Sequence, residues 1–205
     1  MNEKNKSIEI IESIANRINK DFSTKDAVRE NTLRRCREII RLSANSIRAI
    51  HRQEQNVAGE LLNKASTILQ EMHSEINEKH DDLLHAGFIH DAQKEFAEAS
   101  ITFSIITSRP IPEPESIQVT YAAYLNGMGE SVGELRRYLL DSLRRNDYSR
   151  CEEFLSTMDE IYGVLVTVDF PDAITHGLRR TTDSVRGILE KTRGDLTLIL
   201  KLEEH

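Results

Sequence analysis

Tryptophan is absent from this chain, and Phe and Tyr together supply only 5% of it. A β-sandwich or barrel, which draws on aromatic and β-branched strand residues, is a poor match to that composition; a Leu/Ile/Ala-packed helical body is a good one. Cysteine is almost as scarce. Cys36 and Cys151 stand alone, with no CxxC or finger spacing, which excludes a zinc ribbon and a disulfide framework. They read as buried thiols of a reducing compartment. No apolar run approaches the roughly 20 residues of a membrane span, and the opening MNEKNKS has no signal-peptide core. A soluble, cytoplasmic protein is expected. Positive charge is also in deficit: the net charge is -7. Whole-surface attraction to nucleic acid is thereby excluded, and any such binding needs a local basic patch. No Walker loop or Cys/His nucleophile pattern occurs.

What is present is helical periodicity, with no convincing strand. At 205 residues the chain reads as a single all-α domain spanning 1–205, a bundle of about seven helices. A first helix carries Ile8, Ile11, Ala15 and Ile18 and ends near Phe22, and Ser23 or Thr24 caps a second. That second helix has an apolar face of Cys36, Ile39, Ile40, Ser43, Ile47 and Ile50. A third runs from about Val57 to Ile76, and a fourth from about Asp81 to Thr107. Pro110, Pro112 and Pro114 then break the chain within five residues. A fifth helix extends to about Arg145, Asn146-Asp147 turns, and a sixth uses Tyr148 to Leu165. Pro171 opens the last helix, with Ile174, Leu178, Val185, Leu189, Leu196 and Ile199 as its seam.

Two of these helices carry paired carboxylates. Glu95 and Glu98 lie three apart in KEFAEA, and Glu130 and Glu134 four apart in YLNGMGESVGEL. Each spacing puts a pair on one helical face, where like charges repel unless a cation lies between them. Gly127, Gly129 and Gly133 surround the second pair although each costs about 1 kcal/mol against Ala in a helix interior. Glycine lets something approach the backbone closely. If the pairs converge, they form an all-oxygen site that selects Mg²⁺ or Mn²⁺ over Zn²⁺. Iron is disfavoured because no Glu-x-x-His occurs. Such ions on carboxylates serve phosphate chemistry. A second constellation is basic. Arg34, Arg37, Arg41, Arg48 and Arg52 fall within about 60° on the helical wheel, opposite the Cys36–Ile50 face. A stripe of arginines in an acidic protein suits an oriented phosphate contact, with little base stacking where aromatics are few.

The segments RENTLRRCREIIRLSANSIRAIHR, KEFAEA and YLNGMGESVGELRRYLLDSLRRNDYSR occur in this order over about Val28 to Leu200. In that order and spacing the chain resembles the translin–Trax family. The resemblance implies an all-α fold assembled as a hollow homo-oligomer, an octamer, that binds RNA and single-stranded DNA. It also implies a Trax-like, metal-dependent endoribonuclease site with Mg²⁺ or Mn²⁺ on Glu95, Glu98 and Glu130, and with Glu134, the more widely shared acid, as a further ligand or as support for the other three. The chain departs from the family at Glu130, where catalytic members carry Asp, and its compact length fits an archaeal homologue. Two alternatives remain open at this point: a non-catalytic single-strand-binding ring, and an all-α nucleoside triphosphate pyrophosphohydrolase, which also pairs Glu-x-x-Glu with acids on a neighbouring helix.

Overall fold

The computed structural model describes residues 3–76 and 86–203. Among them run seven helices and no strand: α1 Glu3–His51, α2 Gln55–Glu75, α3 Gly87–Ile106, α4 Tyr121–Leu143, α5 Cys151–Leu165, α6 Asp172–Thr175 and α7 Leu178–Glu203. The expected start of the fourth sequence helix, Asp81 to His85, lies outside the described residues.

Helix α3 is the axis of the bundle. It packs against α1 on one side and α4 on the other, with α2 leaning on α1 and α7 closing over α4 and α5. Every residue from Phe96 to Ile106 is buried, so α3 has no solvent stripe over this stretch, as befits a helix enclosed by others. The proline-rich connection after α3 is held at its exit. Gln93 Oε1 accepts from both the backbone N–H and the hydroxyl of Thr120, 3.1 and 3.0 Å away, and the Thr120 hydroxyl in turn caps α4.

Two expected boundaries differ. The first and second sequence helices are one, because the Thr24 hydroxyl bonds back to the Lys20 carbonyl at 3.0 Å instead of capping a new start. No Gly or Pro interrupts the join. The stripe expected to be buried on that first helix is exposed instead: Ile8 by 54%, Ile11 by 65% and Ile18 by 47%. At the other end, Pro171 starts only the four-residue α6. His176 and Gly177 have φ of 50° and 83°, left-handed values that end α6 and re-aim the chain into α7. Ile174 accordingly lies outside the seam, exposed, while Leu178, Val185, Leu189 and Leu196 are buried. The count of seven therefore stands with a different membership. Cys36 and Cys151 are buried free thiols, the former pushed up to about 12 by burial and then by Asp91. No described helix is long and apolar enough to cross a membrane.

Candidate metal centre

The site begins with a glycine. A Cβ on Gly127 would lie 2.6 Å from the Lys94 carbonyl oxygen and 2.8 Å from the Glu98 backbone nitrogen. Only hydrogen fits, so α3 and α4 meet backbone to backbone. What approaches this glycine closely is the backbone of the neighbouring helix. Gly129 serves the same end toward α7, where a Cβ would meet Thr181 Cγ2 at 2.4 Å. Only Gly133 has free space, with Ile188 Cδ1 at 3.9 Å.

This close crossing brings Glu130 level with the acids of α3. Carboxylate oxygens of Glu95, Glu98 and Glu130 lie within 4.8 Å of one another. The flank carrying Glu98 and Thr102 is not a solvated acidic face: Glu98 is 9% exposed and Thr102 is fully buried. Burial first, then the charges of Glu95, Glu130 and Glu134, push the Glu98 carboxyl up to about 8, with Lys94 offsetting only part of this. Lys94 is the resident cation. Its Nζ donates to both oxygens of Glu130 at 2.6 and 2.7 Å and lies 3.5 Å from Glu95. Burial works against its charge, but the hydrogen bond and charge of Glu130, helped by Glu95, hold its pKa above the ordinary lysine value.

Glu134 is not part of the convergent set. His51, at the end of α1, donates from Nε2 to its Oε2 at 2.5 Å, and Arg137 lies 3.7 Å away. The His51 hydrogen bond holds the Glu134 carboxyl below its usual range despite burial. His51 Nδ1 is buried without a partner. Glu98 and Glu130 also open onto a cleft of about 430 Å³ whose far wall is α7, with Arg180, Thr181, Ser184 and Ile188.

The arginine stripe is exposed along α1, opposite the buried Cys36, Ile39, Ser43, Ile47 and Ile50. Its members differ in availability. Arg41 is clamped by both oxygens of Glu38 at 2.8 and 2.5 Å, and Arg52 by Glu54 at 3.0 and 2.7 Å. Arg34 and Arg48 hold only the neutral side chains of Asn31 and Asn45. Arg37 is exposed with no acid partner among the described residues. Because His51 is three residues beyond Arg48 and touches Glu134, the stripe ends beside the acidic helix.

Sequence reasoning missed Lys94 and His51. Each pairs with an acid on another helix, and periodicity reports only the face of its own. The sole hint for Lys94 is its adjacency to Glu95 in KEFAEA.

No family model matches the chain. It is 32% identical over 188 residues to an uncharacterized protein of Methanocaldococcus jannaschii, covering 90% of this chain and 83% of that one. Among solved structures it is similar to AfC3PO in complex with duplex RNA, with 32% identity, a TM-score of 0.80 and coverage of 92% of this chain and 97% of that one. A second AfC3PO structure gives 31% identity and a TM-score of 0.82 over 93% and 99% of the two chains. NeC3PO shares the fold, at 18% identity and a TM-score of 0.80 over 90% and 96%.

Proposed function

Since this chain belongs to the translin–Trax family of C3PO-type proteins, we propose that it is a metal-dependent endoribonuclease that hydrolyses phosphodiesters of short or single-stranded RNA within a homo-oligomer. The observation that carries the reading is the meeting of Glu95, Glu98 and Glu130 from two helices. Oxygens that share an octahedral Mg²⁺ lie about 3.0 Å apart when adjacent and about 4.2 Å when opposite, and the three here lie within 4.8 Å of one another. The elevated Glu98 carboxyl, raised first by burial and then by the charges of Glu95, Glu130 and Glu134, is a group whose ionised form a cation at this place would stabilise. A divalent ion held there supplies Lewis-acid activation of water and neutralises charge on phosphoryl oxygens.

The chain's own residues do the rest. Glu95, Glu98 and Glu130 would hold and orient the ion, Glu98 in its ionised form. Lys94 steadies Glu130 by donating to both of its oxygens. Glu134, fixed by His51, adds negative field from the next turn of α4. Arg34, Arg37 and Arg48 offer a phosphate track along α1, with Arg41 and Arg52 joining it when their acid partners yield. AfC3PO binds duplex RNA, which supports RNA as the ligand class here; single-stranded DNA is the second nucleic acid to test.

A labelled RNA oligonucleotide is incubated with Mn²⁺ or with EDTA, using wild type and Glu98→Gln. Cleavage should require the metal and fall at least about a hundredfold in the variant. Equal product from both proteins would falsify the site assignment. The non-catalytic ring is the second reading, favoured by the Lys94–Glu130 pair, which already places a cation on one acid. It requires saturable, salt-sensitive RNA binding with no product at any metal concentration. The C3PO structures that this chain resembles give the pyrophosphohydrolase alternative no support.

A further inference from the structure

Three carboxylates repel a phosphodiester, and the one cation among them, Lys94, is committed to Glu130. A side-chain cation that engages the phosphate beside the ion must therefore come from another element. Across the cleft from Glu98 and Glu130 stands Arg180, in the first turn of α7. We infer that Arg180 is the residue that seats the scissile phosphodiester in this cleft, its guanidinium donating to the non-bridging oxygens. The inference rests on the nuclease reading above and names a residue outside both the acid pairs and the α1 stripe.

Its placement is fixed by the neighbouring residue. The Thr181 hydroxyl donates to Asn126 Oδ1 at 2.7 Å, and Asn126 Nδ2 donates to the Thr175 carbonyl at 2.8 Å. Gly129 admits Thr181 so closely that no side chain could replace its hydrogen. The start of α7 is thus pinned to the turn of α4 that carries Glu130. Availability points the same way. Arg186 and Arg193, further along α7, are paired with Glu190 and Asp159. Arg180 is exposed and has no acid partner among the described residues. The chemistry also fits: a guanidinium fork matches two phosphate oxygens, and a cation placed opposite the acids meets the charge that builds on the phosphoryl group.

The test uses full-length protein and a labelled RNA oligonucleotide with Mn²⁺ under single-turnover conditions. Arg180→Gln should lower the maximal cleavage rate at least about tenfold, with the RNA concentration for half-maximal rate changed much less. Arg180→Lys should restore part of the rate, and Arg186→Gln should behave as wild type. Ser184→Glu, which keeps the arginine but adds a carboxylate to the cleft, should depress the rate similarly. In Ca²⁺, the salt slope of RNA binding by Arg180→Gln should fall by about one phosphate contact. A wild-type rate in Arg180→Gln overturns the inference, as does loss that Arg180→Lys cannot relieve. If wild type itself cleaves nothing, the nuclease reading fails, and an unchanged salt slope then removes Arg180 as a phosphate contact as well.

Discussion

Glu98 is the most informative single residue because burial and charge act on it together. Its ordinary pKa of 4.5 rises to about 8 in the fold. Between those values the folded protein keeps a proton that the unfolded chain has lost. The folded state then binds more protons, so stability falls as pH rises from about 4.5 to about 8 and levels off above. Glu98→Gln removes this dependence. Urea melts should show the metal-free variant more stable than wild type by up to a few kcal/mol near pH 8, and little different near pH 4.5. Added Mn²⁺ should narrow the gap at high pH by stabilising wild type alone. Parallel pH profiles for the two proteins would show that Glu98 is not under charge stress. The spacing of Glu95 and Glu98 was legible in KEFAEA, as was that of Glu130 and Glu134. That three of these acids converge, while Glu134 pairs with His51, depends on where α1 ends against α4, which no local pattern records.

Between α3 and α4, the glycines separate packing from propensity. A methyl at position 127 would press on the Lys94 carbonyl and the Glu98 amide, both backbone atoms that cannot rotate away. Gly127→Ala should therefore destabilise by about 1–3 kcal/mol and weaken Mn²⁺ binding, because the helices that carry the acids must separate. Gly133→Ala meets nothing closer than 3.9 Å and should stabilise by up to about 1 kcal/mol through helix propensity. Chemical denaturation with Mn²⁺ titration by calorimetry distinguishes the two. Equal behaviour of both variants would refute the close crossing. The sequence marked these glycines as unusual for a helix interior but could not say what approached them. Helix boundaries show a similar division. The Pro110–Pro114 break and the Asn146-Asp147 turn were readable from local chemistry. The Ser23-Thr24 join was misread because a hydroxyl that can cap can equally bond back to a carbonyl one turn earlier.

For the whole molecule, the outstanding feature is the N-terminal half of α1. Ile8, Ile11, Ile14, Ile18 and Phe22 are all 41–65% exposed and repeat at three- and four-residue intervals along one side of the helix. So much apolar surface in water favours association, consistent with the homo-oligomer proposed above. Ile11→Asp with Ile18→Asp should lower the solution mass measured by sedimentation while leaving the helical signal of each chain nearly unchanged. An unaltered mass would place this arm outside the subunit contacts. By itself, the sequence determined the helical class, the apolar faces of most helices and the residue types able to hold a hard cation, because those follow from composition and from the 3.6-residue period. Tertiary structure alone decided which acids meet, that Lys94 neutralises Glu130, that Arg180 faces the cleft, and that the first apolar stripe stays uncovered. Each of these is a relation between helices distant in the chain, set by how closely glycine lets two backbones approach and by where α7 begins.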